Sequence, residues 1–153
     1  MKKQLTLLSF LILVLASCIK PKDGDVVNAD VCGVETDLEL ALTNTSRQLG
    51  YMNREKAPVK NEGMIFVFDE EAPREFWMKS VKFPLDILFI DKDFTVFKTW
   101  TMYPEPGVPS FKLKRYPSGV GAQYAIEFRE NWAKENNIQL GCKIKLSDKI
   151  TTN

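Results

Sequence analysis

The stretch from Phe76 to Asp91, FWMKSVKFPLDILFID, constrains the fold of this chain more than any other. Pro84 removes a backbone donor and biases Phe83 towards extended geometry, so a helix does not run through it. Apolar runs on either side of the polar turn Ser80-Val81-Lys82 predict two strands, Glu75 to Lys79 and Leu85 to Ile90. The second is apolar at nearly every position, which is the signature of a strand buried on both faces. Asp86 interrupts that run. A carboxylate among Leu85, Ile87 and Leu88 is costly to bury unless it is paired or hydrogen-bonded, and a pairing with Arg47 or Lys79 is the expected solution.

Other strands are predicted from short runs rich in β-formers: Asp37 to Leu42, Gly63 to Phe68, Phe94 to Met102, Ala122 to Phe128 and Lys143 to Leu146. Lys92-Asp93 makes a tight connection, so Phe94 to Met102 should form a hairpin with Leu85 to Ile90. Asn44 or Thr45 can cap a short helix over Ser46 to Met52, which Gly50 ends or bends. A second short helix is expected over Asn131 to Asn136, before a turn at Gly141. Asp69 to Pro73 reads as a turn, and Pro104 to Gly121 as a long connection.

Three of these segments carry a resemblance. GYMNRE (Gly50 to Glu55), GMIFVF (Gly63 to Phe68) and the Phe76–Asp91 stretch stand in the order and spacing of the domain of unknown function 192 family, which the chain resembles from about Leu38 to Leu146. The resemblance implies a mostly β, α+β fold: a compact barrel-like mixed sheet with one or two short helices. It implies no activity. The family has an arginine three residues before the first glycine, and Arg47 matches it. The family lysine matched by Lys79 is followed by asparagine and threonine, where this chain has Ser80 and Val81, both of lesser polar reach.

The first residues read as an address. Lys2 and Lys3, the apolar run Leu5 to Leu15, and Leu15-Ala16-Ser17-Cys18 resemble a bacterial lipoprotein leader, so residues 1–17 are expected to be removed and Cys18 lipidated. The apolar run is shorter than the roughly 20 residues that span a bilayer. Ile19, rather than aspartate, follows Cys18, which favours the periplasmic face of the outer membrane in a Gram-negative cell. Residues 18–36 are then a lipidated N-terminus and flexible tether, 37–147 the folded domain, and 148–153 a disordered polar tail. Cys32 and Cys142 remain after lipidation. In an oxidising compartment they are expected either to pair or to stay as two unrelated thiols.

Charge and composition exclude several functions. The formal net charge is +1, and losing Lys2 and Lys3 takes the 21 basic side chains to 19 against 20 acidic ones. Nucleic-acid binders are usually distinctly basic, so no nucleic-acid partner is expected. With no histidine, Ser-His and Cys-His catalysis and histidine-bound metals are excluded. No nucleophile elbow, phosphate-binding glycine loop or metal-ligand cluster is present, and no cofactor is expected.

The remaining polar candidates are Arg47, Lys79, Asp86, Asp91 and Glu127. Arg47 reads either as an anion-binding group or as half of a structural ion pair. Trp77 beside Lys79 could line a small pocket, as an aromatic next to a cation. Met52, Met64, Met78 and Met102 offer soft ligands for Cu(I), but methionines in apolar runs are core fillers. Lys112, Lys114 and Arg115 alternate with Phe111, Leu113 and Tyr116 in the long connection, which reads as a solvated loop or as a contact for an acidic polymer or sugar.

The expected function is therefore a non-enzymatic binding or accessory module of the cell envelope, for a small molecule, glycan or protein, with Arg47, Trp77, Lys79 and Asp86 as candidate ligand contacts. The alternative is an envelope carbohydrate-active enzyme using Asp/Glu chemistry, which requires paired carboxylates about 5 to 9.5 Å apart in an open cleft.

Overall fold

Leu85–Ile90 has a strand on each edge and a core on each face, which is what its apolar sequence requires. In the computed structural model, which describes residues 20–146 and 150, it is β4 of a single seven-stranded sheet. The strands are β1 (Val26–Val31), β2 (Val34–Ala41), β3 (Glu62–Phe76), β4 (Leu85–Ile90), β5 (Val96–Met102), β6 (Tyr116–Arg129) and β7 (Ile144–Leu146). Two short helices, α1 (Asn44–Leu49) and α2 (Trp132–Glu135), and a 3₁₀ turn at Ser110–Lys112 interrupt them. The strand order is β5-β4-β6-β3-β2-β1-β7; only β2 and β3 run parallel.

The sheet curls into a half-barrel whose two outer strands touch at one end. Thr95 bridges to Lys143, Gly141 N–H donates to Val96 O (2.7 Å), and Val96 N–H donates to Cys142 O (2.9 Å). Cys32, in the β1–β2 turn, is bonded to Cys142, just before β7, with Cα atoms 5.3 Å apart. The first and last strands lie side by side, Val31 opposite Ile144.

Two cores result, one on each face of the central strands. Leu38, Ile65, Leu88, Ile126 and Phe128 fill the inside, with Trp132 of α2 stacked on Phe128 at 3.7 Å. Phe66, Ile87, Phe89 and Ala125 face outward and are covered by Tyr51, Met78, Met102 and Tyr116. Met64, Met78 and Met102 are all buried here as core filling.

The sequence expectations shift in four places. β1 lies in the stretch read as flexible tether, because Val27, Ala29 and Val31 alternate into the inner core. Lower in the same stretch, Asp23 accepts hydrogen bonds from Leu42 N–H (2.7 Å) and Ser46 Oγ (2.6 Å), fixing it against α1. β3 runs through the expected turn at Asp69–Pro73 and ends at Phe76, so Trp77 to Lys79 are not strand. Register shifts at Val67/Ala72 and Pro73/Glu75 accommodate the proline, and Arg74 N–H is met by Ser118 Oγ at 2.8 Å. β6 likewise begins at Tyr116, inside the expected connection, because Tyr116 and Pro117 pair with Phe76 and Glu75.

These breaks fold the far ends of β3 and β6 over the outer face. Trp100 Nε1–H donates to Pro117 O (3.1 Å), and Tyr103 N–H donates to Tyr116 Oη (3.1 Å). The leader and Cys18 lie outside the described residues, as does the expected disordered tail except for Ile150, which packs on the inner core. Among the described residues no helix is long and apolar enough to cross a membrane.

Candidate functional site

Where the folded-over ends of β3 and β6 leave α1, they enclose a cleft of about 1100 Å³. One wall is α1. Thr43, not Asn44 or Thr45, caps it: its Oγ1 accepts from Ser46 N–H (3.1 Å), and its own N–H donates to Ser46 Oγ (3.0 Å). Gly50 ends it with φ of 46°, a conformation suited to glycine.

Arg47 projects from α1 into this wall. Its guanidinium donates to Leu42 O and Val67 O, both at 2.6 Å, and to Asn44 Oδ1 at 2.7 Å; Asp69 lies 3.7 Å away. Val67 is the last residue before the β3 register shift, and Arg47 meets its carbonyl. Arg47 is therefore first a clamp between α1 and β3. It also lies 5.4 Å from the Phe68 ring centroid, while Arg74 lies 4.0 Å from the same ring. Arg74 is itself held by Ala122 O and Glu70 O, and burial lowers the pKa of its guanidinium.

The second wall carries Trp77. Arg115 stands 3.9 Å from its ring centroid and Lys79 at 5.3 Å. Glu75 is 3.8 Å from Arg115, whereas Lys79 has no ion pair among the described residues. Ser80, at φ of 54°, turns the chain here, and its carbonyl accepts from Asn53 N–H at 2.8 Å. That bond ties the Trp77 loop to the segment after α1.

The floor is Glu127. It sits on β6 opposite Met64 and Ile87 and is 4% exposed. A Cβ on Gly50 would stand 3.3 Å from the Phe66 ring and 3.8 Å from Glu127 Oε2, so the absence of a side chain there keeps the cleft open down to the carboxyl. Burial pushes the Glu127 carboxyl up to about 8, against the downward pull of Arg54. Arg54 is held in a two-pronged pair with Glu39 (2.7 and 2.6 Å) and stacks 4.9 Å from Tyr51. Burial, and then the Glu127 charge, raises the Tyr51 phenol in turn. The floor thus presents a neutral carboxylic acid at neutral pH, able to donate as well as accept.

Of the residues singled out from sequence, the fold brings Arg47, Trp77, Lys79 and Glu127 together in one cleft. Asp86 is not among them. It is buried, 3% exposed, but pairs with neither Arg47 nor Lys79: Thr101 Oγ1–H donates to one oxygen (2.7 Å) and Ala133 N–H, at the start of α2, to the other (3.0 Å). A hydroxyl and a helix-end amide satisfy it where a cation was expected. Asp91 is structural too, accepting from Asp93 N–H (2.9 Å) and Thr95 N–H (2.8 Å) in the β4–β5 turn.

Phe68, Arg74 and Glu75 escape sequence reading because they enter the cleft through the bulged half of β3. Of the basic loop's three cations, Arg115 is the one that lines the cleft. Phe111 of that loop stays 79% exposed, and Leu113 and Tyr116 are buried.

With the geometry described, the relatives can be placed. The profile of DUF192, an uncharacterized ACR, matches residues 26–146. The chain belongs to the DUF192 family. Its fold is similar to that of a Sinorhizobium meliloti protein described as a candidate transcription regulator (TM-score 0.66, 26% identity, 80% of this chain and 92% of that one). It is also similar to a protein of unknown function from Novosphingobium aromaticivorans (TM-score 0.63, 25% identity, 78% and 83%). No curated protein matches the sequence. DUF192 membership names no ligand.

Proposed function

We propose that this DUF192 protein is a lipoprotein of the cell envelope, held by lipid on Cys18, whose cleft binds a small polar ligand without transforming it. The observation that carries the binding reading is the arrangement of Phe68 and Trp77, each faced by two cationic side chains in one open cleft. Ligand sites combine a concave surface, aromatic walls and a few placed polar groups, and this cleft has all three.

Export is supported by the leader-like first 18 residues and by the Cys32–Cys142 bond, since stable disulfides belong mostly to oxidising compartments. With β1 starting at Val26, the segment from Ile19 to Asp25 is all that separates Cys18 from the sheet. Asp23 is already fixed against α1, so the free part of that segment, Ile19 to Lys22, reaches about 14 Å when fully extended, and the domain would ride close to the bilayer. The regulator description of the Sinorhizobium protein does not transfer well to a chain of net charge +1.

Two experiments test these halves separately. Cys18→Ser should abolish metabolic palmitate labelling and free the protein from the membrane fraction; a labelled, membrane-bound variant refutes the anchor. Full-length protein and its Trp77→Ala variant, retrieved from membranes, should differ in the small molecules they retain by mass spectrometry; identical sets refute the cleft. A second reading, an Asp/Glu enzyme, is favoured by one feature, the raised-pKa carboxyl of Glu127 at the cleft floor. Turnover of any retained ligand, lost in Glu127→Gln, would decide for it.

A further inference from the structure

We propose that the cleft takes an acidic saccharide, a sugar ring or short chain of rings bearing a carboxylate that meets Lys79 while the ring lies against Trp77. The proposal rests on the cleft being a binding site and adds the chemical class of its occupant.

Three features of the walls point to it. Phe68 and Trp77 are half-buried with Arg74 and Arg115 standing over their rings at 4.0 and 3.9 Å, and the part of each ring that these guanidiniums leave uncovered suits the C–H face of a pyranose. Around them the charges stand in loose pairs of opposite sign: Arg47 with Asp69 at 3.7 Å, and Arg115 with Glu75 at 3.8 Å. Each pair sets guanidinium donors beside carboxylate acceptors at a separation too long for a tight hydrogen bond, leaving capacity on both. Neighbouring hydroxyls of a sugar are both donor and acceptor, so such a pair can satisfy a diol. Glu127, as a neutral acid, offers the same dual capacity at the floor.

The third feature fixes the charge. Neither Lys79 nor Arg74 has an ion pair among the described residues, but Arg74 donates to Ala122 O and Glu70 O, so the ammonium of Lys79, with Trp77 beneath it, is the cleft cation left unmatched. One unpaired ammonium calls for one anionic group. A phosphate dianion fits less well, because Asp69 and Glu75 stand on the same walls and would repel it. The volume, about 1100 Å³, lies just above the roughly 300 to 1,000 Å³ typical of ligand clefts, which leaves room for more than one ring.

The test is calorimetric titration of the full chain in detergent with matched pairs: glucuronate against glucose, galacturonate against galactose, N-acetylmuramate against N-acetylglucosamine, plus glucose 6-phosphate. At least one acid should bind about tenfold or more tighter than its neutral partner, the worth of one charge-assisted hydrogen bond. Lys79→Met should bring that pair within about twofold, and Trp77→Ala should weaken both members, with thermal midpoints confirming that the variants fold. Acid and neutral sugar bound alike, tighter binding of the phosphate, or no binding at all overturns the inference. If membrane retrieval yields a Trp77-dependent ligand that is not a saccharide, the inference fails while the binding cleft stands. If Trp77→Ala changes nothing retained, the cleft itself falls.

Discussion

Asp86 and Glu127 are two buried carboxyl groups on neighbouring rungs of one ladder, and the fold treats them in opposite ways. Asp86 is paired in register with Phe128, and Glu127 with Ile87, so they point to opposite faces of the β4–β6 pair. On the inner face, Asp86 receives a hydroxyl and a helix-end amide and pins α2 to the sheet. On the outer face, Glu127 has the Arg54 guanidinium nearby and an opening in front of it, and burial dominates. Carboxyl groups with matched donors serve structure. One held without matched donors at the bottom of a cleft is poised for a ligand.

The largest expected effect separates them by pH. Glu127 binds a proton in the folded state up to about pH 8 and in the unfolded state only up to about 4.5. Between those values unfolding releases a proton, so the contribution of this group to stability is greatest below about 4.5 and falls as pH rises towards 8. The full drop is roughly 5 kcal/mol from a shift of this size. Glu127→Gln should remove it, and the difference between the two urea-denaturation profiles across pH isolates this group. A difference that does not change with pH would erase the contrast with Asp86.

Asp86→Ala comes next. It strands the Thr101 hydroxyl and Ala133 amide and should cost about 3 to 5 kcal/mol, with binding at the cleft unchanged at temperatures where the variant is folded. Loss of cleft binding by a fully stable variant would move Asp86 from structure to function. Thr101→Val removes only one of the two donors and should cost about 1 to 2 kcal/mol by denaturation. The smallest effect is that of Arg54→Met, which breaks a half-exposed pair with Glu39 worth about 1 kcal/mol or less. It also removes the one group that lowers Glu127, so the pH at which stability levels off should move upward. If that pH stays put, Arg54 does not act on the floor.

The same contrast measures what the sequence discloses. The apolar run Leu85–Ile90 announces a two-faced strand, and the interruption at Asp86 announces a buried carboxyl. Its partners do not show, because a backbone amide at Ala133 carries no residue signature and Thr101 is one hydroxyl among many. In β1, Val27, Ala29 and Val31 alternate with Asn28 and Asp30, a strand period that the low strand propensity of Asn, Asp and Ala obscures. β3 is masked by Pro73, which a strand tolerates only at a register shift. Arg47, Trp77 and Lys79 are legible as a cluster through residue type alone. Phe68, Arg74 and Arg115 join them only because two long strands bend, and bending depends on pairing across more than 40 residues of chain.

The Cys32–Cys142 bond also gives the molecule a covalent ring that contains β2 to β6, five of the seven strands. Phe111, the most exposed large apolar side chain among the described residues, lies inside that ring, on the connection between β5 and β6. A protease that cuts beside Phe111 would therefore produce two fragments that remain one particle, the amino-terminal piece carrying Cys32 and the carboxy-terminal piece carrying Cys142. The cut would show on a gel only after a reductant is added. If the chain is the envelope lipoprotein proposed above, a domain closed in this way would keep its sheet, and its cleft, tied to the membrane after that loop had been severed.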